Sequence, residues 1–317
     1  MASKFEIDML SAELGKIDIL LQRQSDSFSL SDLSLKKRKI EVEKQIQELI
    51  NHRSNIGEVA LLFNGDPVTG SYGINADFAS DILAKFNRMI DTTMELVTRS
   101  RNVKHSATDA TLEHIPSNLC ITSIAHGSFG FLMEEIDTKP MPLFATPIKE
   151  AIEKSADILD GVTSQDDERF DEIVQDIDHA VFSALKQFIK TLHKHNSRLK
   201  LYEAHRSFDF DNYAITRAYN RTDQSEVDET EVRKVGRLIG VLPIEKKFEF
   251  QPDGEEELIS GKIGSRFSEA YIHSLDTNEK IINKKWLAHF TKKTFKTVQK
   301  ERITYRLEWL EDAAKGD

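Results

Sequence analysis

Cysteine is almost absent: Cys120 is the only one in 317 residues. A single thiol excludes an internal disulfide framework and any zinc site built from several cysteines, and it suits a reducing, cytoplasmic setting. No run of about 18 uninterrupted apolar residues occurs, so no membrane span and no membrane partner are expected. The opening "MASKFEIDML" lacks the basic, then apolar, then small-residue pattern of a signal peptide, and no secretory leader is expected. Internal repeats and long low-complexity linkers are missing as well. Positive charge is outnumbered, with 43 Lys and Arg against 53 Asp and Glu and a net charge of −10. That balance argues against the whole chain acting as a nonspecific nucleic-acid coat, while leaving local patches open.

What is present describes an ordinary folded protein, 39% apolar and 30% charged. Its length suits two or three domains. The patterning predicts an α+β fold in three parts: a helical hairpin over residues 1–55, a central mixed α/β domain with long helices over 56–197, and a β-rich domain over 198–317.

In the first part Ile7, Leu10, Leu14, Ile17 and Leu21 follow 3-4-3-4 spacing, the narrow seam of a coiled coil. "SDSFSLSDLS" interrupts it with turn and cap residues. Leu35, Val42, Ile46 and Leu49 then supply a second seam. The two helices can close as an antiparallel hairpin, too thin to bury much alone. The seam Ile7–Leu21 is therefore a candidate interface with the body of the chain, a second copy or another subunit.

The central part reads as follows. "EVALLFNG" is a short apolar strand, "NGDP" a turn and "VTGSYGI" a returning strand. Asn75 or Asp77 caps a helix over about 76–99 with Phe78, Ile82, Phe86, Met89, Thr93 and Leu96 or Val97 on one face. "SNLCITSIAH" and "FGFLMEEI" pair as strands. After the Pro-rich "DTKPMPLFATP" come helices over about 148–159 and 167–195, the second with acidic first turns and basic last turns that suit its dipole. From Arg198 onward "RLKLYEA", "NYAITRAY", "VGRLIGVLPI", "KKFEFQ", "ELISGKI", "KWLAHFTKKTFKTV" and "RITYRLEWL" are strand-like and suggest a small barrel or curled sheet. "TDQSEVDETE" reads as a charged loop or edge segment.

Few motifs carry chemistry. "HGSFG", centred on Ser128, departs from a nucleophile elbow because His126 replaces the first glycine and a strand follows. A hairpin turn with Gly127 at positive φ explains it better. "GDPVTGS" over 65–71 has P-loop glycine spacing but Ser71 where the lysine belongs, leaving only an anion nest at Gly70, Ser71 and Gly73 to consider. Asp209, Asp211 and Asn212 lack the rest of a calcium loop. His193 and His195 point apart on a helix end, and Glu245 with Lys247 is a chance nuclease-like pair. No cofactor or metal is predicted.

The one charge anomaly lies over 280–306, where Lys280, Lys284, Lys285, Lys292, Lys293, Lys296, Lys300, Arg302 and Arg306 face Glu301 alone. Trp286, Phe290, Phe295 and Tyr305 are interleaved. A basic curled sheet with aromatics can track a phosphate backbone, dock an acidic protein, or simply guard an edge strand with lysines around a core of aromatics. The leading expectation is a non-catalytic assembly subunit of a larger bacterial complex, joined to itself or a protein partner through its N-terminal helices. A nucleic-acid-binding module, in a nucleic-acid-processing or antiviral complex, is the alternative. A metal-dependent hydrolase or nuclease is the third.

Overall fold

The computed structural model describes residues 3–23, 30–51, 55–102, 117–125, 129–136, 142–242, 245–264, 267, 281–296 and 301–313. It is mixed α+β, with an N-terminal helical hairpin and a curled C-terminal sheet, as the patterning predicts. Two compact units divide the chain. The first comprises Met1–Met94, Ile115–Gln165 and Gln187–Ala218, and the second Glu95–His114, Asp166–Lys186 and Tyr219–Asp317.

In the first unit α1 (Ser3–Arg23) packs on α2 (Leu30–Asn51). Ile17 and Val42 are buried in the seam. Two ion pairs, Glu13–Arg38 and Asp18–Lys39, each at 2.8 Å, flank the seam on either side. Successive residues turn by about 100° around a helix, which puts Glu13 and Asp18 on opposite shoulders of the stripe and turns it toward α2.

A five-stranded antiparallel sheet follows, in the order β4 (Leu119–Ala125), β5 (Phe129–Glu135), β1 (Glu58–Gly65), β6 (Ser197–Glu203), β7 (Arg206–Phe210). Strand β1 is buried from Val59 to Phe63 because both its faces are covered, which is why it reads as a continuous apolar run rather than an alternation. On one face Phe63 meets Phe78 of α3 (Ala76–Asn102) and Phe131 of β5. Phe86 of α3 in turn meets Phe188 of α6 (His179–Lys194). On the other face Ala60, Leu62, Leu132 and Tyr202 cluster with Phe5 of α1, whose ring meets Tyr202 edge-on at 5.5 Å. The Asn75 carboxamide caps α3, its Oδ1 accepting from the Phe78 N–H at 2.9 Å. "VTGSYGI" forms only a two-plus-two-residue hairpin, β2 (Val68–Thr69) with β3 (Gly73–Ile74). α4 (Pro147–Thr163) begins at Thr146, whose hydroxyl accepts from the Lys149 N–H.

Two sequence groupings differ from the structure. Strands β6 and β7, which composition assigned to the β-rich C-terminal part, complete the sheet of the first unit beside β1. "NYAITRAY" is not a strand but the start of α7 (Asn212–Asp223). Asp211 caps it by accepting from the Ala214 N–H at 2.8 Å, and Ile215, Ala218 and Thr222, three and four apart, are its buried residues.

In the second unit the expected helix over 167–195 is broken in two: α5 (Asp167–Asp176) ends before Ile177, and α6 begins at His179. Asp178 restarts the helix by accepting from the Val181 N–H at 2.9 Å. Strands β8 (Glu226–Leu242), β9 (Lys247–Pro252), β10 (Ile259–Ile263), β12 (Glu301–Asp312) and β11 (Lys285–Lys296) close into a barrel in that order, with one parallel pair, β10–β12. Leu238, Phe248, Phe250, Ala288, Phe290 and Leu307 fill it. "TDQSEVDETE" is not a loop: from Glu226 onward it is the first half of β8, and it lies directly opposite the basic half of β11, with Glu226↔Lys296 and Glu229↔Lys293. Opposite charges facing each other across a ladder stabilise the pairing.

Gly130 of β5 stands against β1 so closely that an added Cβ would lie 2.6 Å from the Leu61 carbonyl oxygen and 3.0 Å from Leu62 Cα. Gly130→Ala is accordingly expected to cost about 1–3 kcal/mol through overpacking against backbone that cannot yield. Thermal unfolding checks it: a fall of several degrees is expected, and an unchanged melting temperature contradicts the close approach.

Candidate binding surfaces

The strands separate the basic residues that the sequence placed together. Lys284 pairs with Asp312 at 2.9 Å and lies over the Trp286 ring. Lys285 pairs with Asp253 at 2.6 Å. Trp286 packs on the barrel core, and its indole N–H donates to the Ile281 carbonyl at 2.9 Å. Lys292 is half-buried between Thr230 and Tyr305 on the neighbouring strands. Lys296 is exposed and sits between Glu226 and Glu301. Arg302 lies 4.0 Å from Asp171, and Arg306 pairs with Glu308. Lys280 and Lys300 lie outside the described residues, as do His126, Gly127 and Ser128.

Lys293 has the most specific environment. It is buried, and its ammonium donates to the carbonyls of Val174, Gln175 and Ile177 at the C-terminal end of α5, the Gln175 contact being 3.0 Å. A helix end presents carbonyls with no partner of their own and the negative pole of the dipole, so a lysine there meets both needs at once. Burial pulls its pKa down to about 8, while Glu229, Asp178 and Asp176 pull the other way. Phe295, two residues on, packs on Phe170 of α5 with ring centroids 6.3 Å apart. The outer side of this half of β11 is therefore occupied by α5.

The other half of the barrel wall assembles a group that the sequence did not announce. Register places Arg237 opposite Lys285, Val235 opposite Leu287 and Arg233 opposite His289, with Trp309 of β12 on the far side of His289. Directly opposed residues share a face, so these side chains form one row on the outside of β8, β11 and β12. His289 stacks on Trp309 with ring centroids 4.3 Å apart and planes 21° from parallel. Its Nε2 is buried, has no hydrogen-bond partner, and lies 3.4 Å from a Glu311 carboxylate oxygen. The Trp309 indole N–H and then the His289 ring hold the Glu311 carboxyl below its ordinary range. Arg233 and Arg237 have no carboxylate within ion-pair distance among the described residues. A small cleft of about 20 Å³ opens here, lined by Glu231, Arg233, His289, Thr291, Glu308 and Trp309. Arg233 and His289 are 56 positions apart, and only strand register joins them. The sequence signal was limited to the alternation Arg233-Val235-Arg237.

In the hairpin, Ile17 is buried and Ile7, Leu10, Leu14 and Leu21 are half-buried along α1, so the predicted seam is used within the chain. Large apolar side chains remain exposed elsewhere on the two helices: Met9, Ile19 and Leu20 on α1, and Leu33, Ile40 and Ile50 on α2, from 47% to 66%. Leu33 and Ile40 are seven residues apart, on one line of α2 opposite Val42.

The remaining motifs have structural uses. Gly65 and Gly70 both take positive φ, in a strand end and the small β2–β3 hairpin. Lys247 and Glu245 form an exposed ion pair at 2.9 Å. His195 packs on Phe78 with centroids 5.2 Å apart. No three His, Cys, Asp or Glu among the described residues are placed to hold a metal ion, and no described helix is long and apolar enough to cross a membrane. No protein family, no curated protein and no solved structure matches the chain.

Replacing Lys293 with Met should strip three helix-end carbonyls of their partner and cost about 2–4 kcal/mol. It should also change the pH dependence. The folded pKa of about 8 lies below the ordinary lysine value of about 10.4, so the unfolded chain binds more protons between those limits. Stability from this residue therefore rises as pH climbs through that window, and a neutral amine still has two N–H donors for the carbonyls. Denaturant unfolding from pH 7 to 10.5 reads the result: a wild-type rise that is absent in Lys293→Met is expected.

Proposed function

We propose that the chain is a non-catalytic assembly subunit that docks through its N-terminal hairpin onto a second copy or another protein subunit. One observation carries this reading. With the seam between α1 and α2 already closed, the hairpin still leaves Met9, Ile19, Leu20, Leu33, Ile40 and Ile50 in water. A two-helix element cannot bury all its apolar side chains on itself, and large apolar side chains left exposed on such helices are what partner helices cover. The chemistry expected of the partner is an apolar helix face with acidic and basic margins, matching the ion pairs Glu13–Arg38 and Asp18–Lys39.

A second reading has its own observation. The row Arg233, Arg237 and Lys285 beside Trp309 places cations and an indole on one curved wall of a five-stranded barrel. Barrels of that size include oligonucleotide-binding folds, an analogy at the level of architecture only. Under this reading the barrel holds single-stranded nucleic acid, with the arginines on phosphates. Glu231, Glu308 and Glu311 on the same wall weigh against it.

Two experiments separate these readings. Leu33→Asp with Ile40→Asp removes about 3–6 kcal/mol of apolar burial from a hairpin interface and should weaken partner binding by about 100-fold or more, with the circular dichroism unchanged. Full retention of the partner, or of the solution mass, contradicts hairpin docking. Arg233→Glu with Arg237→Glu addresses the barrel. If it tracks phosphates, the log–log slope of affinity against salt on single strands should flatten by roughly 0.7–0.9 for each phosphate that is no longer neutralised. An unchanged slope removes the nucleic-acid reading.

A further inference from the structure

Among the described residues His289 is the one buried histidine, and its Nε2 has no hydrogen-bond partner. A buried polar atom left without a partner is costly and asks for a physical reason. The charged groups that face it come from the two neighbouring strands. β8 contributes Arg233, directly opposite, and Glu231. β12 contributes Glu308, Glu311 and Arg306, the last paired with Glu308. The adjoining Val235, Leu287 and Thr291 of the same wall are uncharged. Glu308 owes its place to an irregularity in β12. The ladder runs Phe290↔Leu307 and then His289↔Trp309, so Glu308 is an extra residue, and a bulge of this kind re-aims a side chain. Three carboxylates, Glu231, Glu308 and Glu311, thus stand with two guanidiniums, Arg233 and Arg306, a balance of −1. The cluster is one cation short, and the His289 imidazole is the group within it that can supply the charge.

We infer that His289 is a proton-operated latch: on taking up a proton its Nε2–H donates to the Glu311 carboxylate, which ties the end of β12 to β11 and brings the cluster to neutrality. The parts are already in place. One Glu311 oxygen lies 3.4 Å from His289 Nε2, and its other oxygen accepts from the Trp309 indole N–H at 3.3 Å, so the carboxylate stands between imidazole and indole with an oxygen for each. The Glu311 side chain is 56% exposed and can close the remaining gap without disturbing the core. Trp309 lies nearly parallel to the imidazole at 4.3 Å and presents its π face to the same charge. Arg233, across the ladder, opposes the proton and so sets how acidic the solution must be. Imidazole is the side chain whose charge ordinarily changes between about pH 5 and 8, so the latch closes on acidification and opens as the pH rises. Closing it engages a carboxylate that otherwise acts on Arg233, and leaves that guanidinium freer for an anionic ligand in acid. The latch is independent of docking through the hairpin.

The test uses the full chain. It has two tryptophans, so its indole N–H groups give two signals in a nitrogen-correlated NMR spectrum, and Trp309→Phe identifies which is which. Between about pH 8 and 5 the Trp309 signal should move through a single-proton transition. The Trp286 signal should stay in place, because that N–H is held by the Ile281 carbonyl. His289→Gln should abolish the movement. Glu311→Gln keeps an acceptor for the indole but removes the charge, and should lower the midpoint by about one pH unit. Arg233→Gln should raise it. Should His289→Gln fail to fold, the changes at Glu311 and Arg233, both exposed, read the same latch through the midpoint. A Trp309 signal that stays fixed across this range overturns the inference. So does a transition that survives in His289→Gln, or a midpoint that does not respond to Glu311→Gln.

Discussion

The ammonium of Lys293, held by three carbonyls at the end of α5, is the contact around which the second unit is organised. A strand residue that reaches out of a barrel to terminate a helix joins two elements more than a hundred positions apart. It explains why the helix expected over 167–195 stops and restarts. The carbonyls that a continuous helix would have satisfied internally are given to lysine, and Asp178 supplies the cap for the next helix. Neighbouring contacts follow the same line: Phe295 packs on Phe170, Arg221 lies over the Phe170 ring and pairs with Asp167, and Lys262 of β10 pairs with Asp176. Burying one cation in this way lowers its pKa, but a ring of helix-end oxygens offsets much of the desolvation.

The same contact changes how the chain's charge is read. A run of nine cations in an acidic protein invites a polyanion as its ligand. In the folded unit the run is split by strand alternation and answered mostly from within: by α5 carbonyls, by Asp253, Asp312 and Glu308, and by the acidic first half of β8 lying alongside β11. The acidic and basic segments, 226–231 and 285–296, are neighbours in the ladder. Arg233 and Arg237, from the strand that looked acidic, have no carboxylate within ion-pair distance among the described residues.

Legibility varied by element for physical reasons. The seam of α1, the capped start of α3 at Asn75 or Asp77, the pairing of β4 with β5 and the apolar run of β1 were readable because each depends on residues within one or two turns or one hairpin. The boundaries of α5 and the nature of 212–223 were not. Strand-like "NYAITRAY" becomes a helix because Asp211 caps it and Ile215 and Ala218 find a core to face. That choice is made by tertiary burial and not by local propensity.

Periodicity and composition by themselves determined the α+β class, the helical hairpin, the barrel-like C-terminal strands and the poverty of metal-binding and nucleophilic motifs, because those properties follow from side-chain spacing along the chain. The tertiary structure alone decided which strands became neighbours. Register set Arg233 beside His289 and Trp309, sent Lys293 outward to a helix end and Trp286 inward to a core, and joined β6 and β7 to β1. Strand alternation is visible in a sequence, but the partner across the ladder is not, since every alternating strand can pair with every other until the packing of the whole unit selects one register.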